Sequence, residues 1–219
     1  MARWSFKSTC ICLLLILALG TGLTACSDGG KAAPSSSASL QTASQDKTTP
    51  ATLPSPSPTQ PYQPATVKGP AKNVPVPVKP PEADEFSERG LKAFAAYWFN
   101  VFNYAAETGD TESYEKITQS TCTYCYKIIG NIKALYKSKG WNVGGKVIVT
   151  RTQLTKAGFK TTPDNSYQVI IQSNQTAGQT LNSDGSVNDT QNSSVANGEV
   201  LDAVYLAGRW KASNIGKIS

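Results

Sequence analysis

Histidine is absent from the 219 residues. That excludes Ser-His-Asp and Cys-His catalysis, histidine-ligated zinc and a proximal-histidine haem. Aromatic residues are almost missing from one stretch. Between Cys26 and Pro81 the only one is Tyr62, whereas Phe, Tyr and Trp recur from Phe86 onward. Proline is distributed the other way, and beyond Pro81 only Pro163 remains. A segment this poor in aromatics and rich in Ser, Thr, Pro, Ala and Gln cannot bury enough apolar surface to offset chain entropy. The sequence therefore divides into a leader over 1–25, a disordered spacer over 26–81 and one folded domain over 82–219. The last is long enough for one core but not for two.

Long apolar runs are scarce as well. Ile11 to Leu19 is the main one, well short of the ~20 residues that a membrane-spanning helix needs. Arg3 and Lys7 precede it, which is the order of an export signal. Leu23, Thr24, Ala25 and Cys26 follow. A small residue before a cysteine, with leucine three positions ahead of that cysteine, resembles the bacterial lipobox. The resemblance implies cleavage before Cys26, lipidation of its thiol with a diacylglyceryl group and palmitate-type acylation. Two acyl chains give stable anchoring where one is marginal. The alternative is an ordinary secretory signal with an incidental cysteine. The expected address is the extracytoplasmic face of a bacterial cell membrane, with the spacer as a stalk. Its closing Val-Pro alternation from Val74 to Pro81 favours extended polyproline II.

The net charge is +6, from 21 Lys and Arg against 15 Asp and Glu. Much of the excess lies outside the expected domain. Arg3 and Lys7 are in the leader, and Lys31, Lys47, Lys68, Lys72 and Lys79 in the spacer face only Asp28 and Asp46. The domain is close to neutral, so no nucleic-acid partner is expected. Weak attraction of the tether to anionic wall polymers or headgroups fits better.

Within the domain, Leu91, Phe94, Ala95, Trp98, Val101, Phe102 and Ala105 follow the spacing of one helical face, widened by Phe99. Gly109 ends that helix and Asp110 offers a cap for a short second one over 111–118. Ser120 or Thr121 would cap a third helix carrying Cys125, Ile128, Ile129, Ile132, Leu135 and Tyr136, with Gly140 as its stop. Extended segments follow over 146–154, 167–172, 199–206 and 209–215. The polar run 176–198 reads as a loose hairpin or long loop. Helices followed by antiparallel strands predict an α+β domain with the N-terminal helices packed on a curved antiparallel sheet.

That order, with the closing run Tyr205 to Lys211, resembles the nuclear transport factor two-like superfamily. The resemblance implies a cone in which the sheet wraps the first helix around a pocket. Gly90, Ala93, Phe94, Tyr97 and Trp98, then Gly109 and Asp110, Cys122 and Cys125, and Gly140, Trp141, Gly144 and Gly145 also resemble a family of exported actinobacterial lipoproteins of unknown function. That resemblance implies location and fold but no activity.

Three readings compete for Cys122 and Cys125. In an oxidising compartment the pair should form a structural disulfide at the start of the third helix. Alternatively Cys122 is the nucleophile of a thiol-disulfide protein, with Pro163 opposite it. However, the residues from Glu115 to Thr121 are too polar for the buried strand that such a fold places there. Metal binding would need further ligands, and none is expected. A pocket carboxylate is the other source of chemistry. Asp202, with Tyr97 and Tyr136 as donors and Tyr104 on the pocket margin, could serve a cone-fold isomerase or hydratase. Against it, Asp202 could pair with Arg209 or Arg151, or meet solvent. The reading carried forward is a membrane-anchored, non-catalytic binding domain without a cofactor. Its partner would be a cell-wall polymer, a small ligand or a protein.

Overall fold

Ser87 stands in extended conformation and its Oγ accepts the amide of Gly90 at 3.0 Å. This satisfies one of the free N–H groups that every helix start leaves. The helix it caps, α1, runs Glu88–Thr108 and closes at Gly109 in the left-handed conformation, φ 78°. The computed structural model describes residues 60–218. Cys26, the leader and the spacer up to residue 59 lie outside the described residues. Two further helices follow, α2 (Glu112–Lys116) and α3 (Thr123–Lys137). Seven strands come next: β1 (Trp141–Gly144), β2 (Val147–Leu154), β3 (Tyr167–Gln175), β4 (Gly178–Leu181), β5 (Val187–Gln191), β6 (Ser194–Leu206) and β7 (Arg209–Lys217). They form two antiparallel sheets, β2-β3-β6-β7 and β1-β4-β5.

The apolar face of α1 is the one its spacing predicts. Leu91, Phe94, Ala95, Trp98, Phe99, Val101 and Ala105 are buried, in one cluster with Val169, Ile171, Leu201, Ala203, Trp210 and Ala212 of the larger sheet. Each such large side chain contributes about 1.5–3 kcal/mol by leaving water. Directional bonds fix the helix on the sheet. Asn103 Nδ2 donates to the carbonyl of Val147 at 2.7 Å while its Oδ1 accepts the Val147 amide at 2.9 Å. Trp98 Nε1 donates to Thr118 Oγ1 at 3.0 Å inside the core. The residues after α2 then lie along β7: Ala212 donates to Ile117 O and Gln119 donates to Ala212 O. That contact covers part of an otherwise open sheet edge.

Several expectations need correcting. The domain does not begin at Glu82. Gln60 to Pro81, assigned to the spacer on composition, lie on the fold. Gln63 and Lys72 exchange backbone hydrogen bonds, as do Thr66 and Gly69. Trp141 Nε1 donates to Thr66 O at 2.8 Å, and Tyr62 donates to Glu107 Oε1. Few apolar residues are needed because hydrogen bonds attach this arm. A short 3-10 helix, Pro81–Asp84, then leads to α1. Its end is bound to the far strands, since Tyr205 donates to Asp84 O and Trp210 Nε1 to Glu85 O.

The cap of α3 is Cys122 itself, whose Sγ accepts the Cys125 amide at 3.3 Å, and not Ser120 or Thr121. Asp110 accepts from the Glu112 amide at 3.1 Å, although Thr111 occupies the cap position of α2. Gly140 does not stop α3 through its dihedrals, because Lys139 takes the positive φ of 62°. What Gly140 provides is room: a Cβ there would lie 2.4 Å from Leu181 O. The polar run expected as a loose hairpin or long loop forms the hairpin of β4 and β5, turning from Asn182 to Gly185, and the first residues of β6. The pairing of that hairpin with β1 in a second sheet was not expected.

Candidate functional site

The small sheet stands over the C-terminal half of α3 and the end of α1, and the gap between them is a groove. Its register explains the lining. Asn142 of β1 pairs with Thr180 of β4, which pairs with Asp189 of β5. Directly paired residues share a face, so the three make a polar rung across the sheet. The next rung is Gly144, Gly178 and Gln191. Phe102 and Ala106 of α1 and Ile128, Asn131 and Ile132 of α3 form the other wall. The recess encloses about 170 Å³. It continues into a wider depression of about 440 Å³ toward Leu135, Ser138 and Asn188, sharing Asn131, Ile132, Asn142, Thr180 and Asp189 with it.

The rung is held in place from below. The last carbonyls of a helix lack intrahelical partners. Ala106 O, in the last turn of α1, accepts from Asn142 Nδ2 at 2.8 Å and from the Tyr136 hydroxyl at 3.0 Å. Thr180 Oγ1 donates to Asn142 Oδ1 at 3.0 Å, and Gln175 Nε2 donates to Gln191 Oε1 at 3.2 Å. The glycine rung allows backbone to touch backbone. A Cβ on Gly178 would lie 2.5 Å from Gly145 N, and one on Gly144, at φ 67°, 2.3 Å from Ala177 O.

The residues singled out from sequence do not converge on this groove. Tyr136 sits beneath it as the Ala106 partner, and burial pushes its phenol up to about 12. Tyr97 packs at the margin of the main core. Tyr104 lines a depression beside the arm with Tyr62, Pro75, Glu107 and Lys146, and partial burial raises its phenol. Asp202 alternates with the buried Leu201 and Ala203, so it belongs to the outer face of the sheet. There its carboxylate accepts from Gln168 and Asn214, each at 3.0 Å, rather than from Arg209 or Arg151. The structure therefore does not bring Asp202 together with Tyr97, Tyr104 and Tyr136.

The carboxylate on the inner face is Glu199, one turn of the alternation away. Burial raises its pKa, partly opposed by Lys217, its cross-strand neighbour. Its Oε2 and the hydroxyl of Tyr114 are buried without a hydrogen-bond partner among the described residues. Neither lines the groove. Cys122 and Cys125 are joined in a disulfide with 5.3 Å between their Cα atoms, and both are buried. No cluster of three metal-ligating side chains occurs among the described residues.

The fold and groove occupy the same stretch that one family model matches, residues 60–216, described as a family of unknown function, DUF6318. The chain belongs to the DUF6318 family. The match begins at residue 60, the first described residue, so the arm over 60–81 is within the DUF6318 region. No curated protein is significantly similar to the chain. One solved structure, the intermembrane space region of the chloroplast protein ARC6, is similar over 61% of this chain and 97% of that chain. Its identity of 8% and TM-score of 0.38 are too distant to bear on fold or function.

The groove residues Asn131, Asn142, Thr180, Asp189 and Gln191 were not anticipated. The signal for Thr180, Asp189 and Gln191 was the polar run after Thr176, which faces a cavity once it folds into strands. Asn131 and Asn142 lie outside that run and carried no such signal.

Proposed function

We propose that this DUF6318 protein is a lipid-anchored, extracytoplasmic binding domain that engages a component of the cell envelope, with the α+β fold a variant of the nuclear transport factor two-like cone. The observation that carries the binding reading is the groove between α3 and the small sheet. It is a preformed concave surface lined by amides, of which Asn142 is held by hydrogen bonds with the end of α1 and with Thr180, and Gln191 by one from Gln175. Such placed polar groups in a recess are the usual equipment of a ligand site. The leader and Cys26 support the anchor and the address. The arm over 60–81 is bound to the domain through Tyr62 and Thr66, so the tether is the part before it.

A thiol-disulfide role is disfavoured by the burial of both sulfurs, since exchange needs an accessible sulfur. A carboxylate enzyme is disfavoured because Asp202 faces away from the core and Glu199 does not line the groove. The test uses the full chain in detergent and cell walls stripped of protein. The protein should sediment with the walls, and Asn131→Ala with Asp189→Ala should leave it in the supernatant. Failure of the unaltered chain to sediment would remove the binding reading. In cells, Cys26→Ala should abolish acylation and release from the membrane by detergent, read by intact mass. An acylated Cys26→Ala chain would remove the anchor.

A further inference from the structure

We infer that the groove takes a neutral glycan chain, with at least two sugar units in successive subsites. This rests on the binding reading and names its ligand class. Charge is the first argument. Among the described residues, Asp189 is the only ionisable one lining either depression, and neither has a Lys or Arg. Lys133 of α3 is engaged elsewhere, pairing with Glu115 at 2.6 Å. A polyanion such as a phosphate-linked polymer would meet one carboxylate and no compensating cation, which is unfavourable in a partly desolvated recess.

Hydrogen-bond chemistry is the second. Amide side chains donate and accept at once, and so do sugar hydroxyls and N-acetyl groups. Asn131, Asn142 and Gln191 therefore complement a ligand dense in mixed donors and acceptors. An apolar ligand would leave the remaining donors and acceptors of these amides unsatisfied at a cost. Phe102 and Ile132 give the apolar floor that the C–H face of a sugar ring needs.

The third argument is which part of the sheet is presented. Extended peptides usually join a sheet at its edge through main-chain bonds. Here the face of the small sheet, side chains first, forms the groove wall. The shared lining of the recess and the wider depression makes two adjoining compartments, the shape required by a repeating polymer.

Calorimetric titration of the full chain in detergent with N-acetylglucosamine, its dimer and its tetramer tests this. Affinity should rise with chain length, and Asn131→Ala or Asp189→Ala should weaken tetramer binding by about tenfold. Both residues are exposed, so the variants should unfold at the wild-type temperature. An uncharged peptide and poly(glycerol phosphate) should not bind. No sugar binding, a preference for the peptide or the polyanion, or groove variants that bind like wild type would each overturn the glycan assignment. If walls still sediment the protein, the binding reading survives that loss. If they do not, both fall.

Discussion

Lys146 places its Nζ 3.0 Å from the hydroxyl of Tyr62 and 2.9 Å from Glu107 Oε2, while Tyr62 donates to Glu107 Oε1. One lysine thus joins the arm, the last turns of α1 and the residue before β2. Tyr62 is the sole aromatic between Cys26 and Pro81, and the fold uses it as a latch.

A chain beginning at Gln60 should therefore resist urea better than one beginning at Glu82, which leaves Trp141 Nε1 without its acceptor. Tyr62→Phe should lower stability by at most about 1 kcal/mol, because the latch is partly exposed and screened. Equal urea midpoints for the two chain lengths would show that the arm only rests on the surface.

Glu199 should make stability depend on pH. Its folded pKa is raised above the ordinary 4.5 by burial. The acid is at no disadvantage below its unfolded value, and stability is lost as pH climbs from there through the raised value. Glu199→Gln should match wild type in acid and become the more stable of the two toward neutral pH. Urea unfolding across that range reads the difference. A constant gap at all pH values would mean that Glu199 is as solvated in the fold as in the unfolded chain.

Gly178→Ala should damage the groove itself. The added methyl meets the backbone of Gly145, which cannot move without separating β1 from β4. Overpacking of this kind costs about 1–3 kcal/mol. Amide shifts should change along Trp141–Gly144 and Val187–Gln191 but not in the larger sheet. Wild-type stability with unchanged shifts would contradict the close approach.

Replacing both Cys122 and Cys125 by Ser should cost roughly 2 kcal/mol through the lost short loop without altering the fold. The oxygen of Cys122→Ser can still accept at the helix start, where Sγ accepts now. Thermal unfolding and far-ultraviolet circular dichroism check both halves of the claim. Loss of folded signal would mean that the bridge organises α3 rather than merely bracing it.

The first helix was legible because its apolar spacing survives burial unchanged. Val169 and Ile171 were legible for the same reason, since the two-residue alternation of β3 coincides with its core face. Asp202 illustrates the limit. It shares parity with Val200 and Val204, but sequence does not tell which parity faces the core when both carry apolar residues. Burial of Leu201 and Ala203 under α1 decided it, and that made Glu199 the inner carboxylate. The groove was hidden for a related reason. Strands whose exposed faces are polar on both sides show no alternation, so β4 and β5 were legible as a hairpin only through their turn residues, and their pairing with β1 was not legible.

Sequence by itself determined the helix-then-strand order, the apolar face of α1 and the proximity of Cys122 to Cys125. These follow from composition and from periods of a few residues, which local chain geometry imposes. Tertiary structure alone decided where the domain starts, which face of β6 is inner, and that Asn131 meets Asn142, Thr180 and Asp189 across one gap. Those depend on contacts between residues far apart in the chain, such as Tyr62 with Lys146 and Trp210 with Glu85. No local pattern encodes which distant partner satisfies a given hydrogen bond.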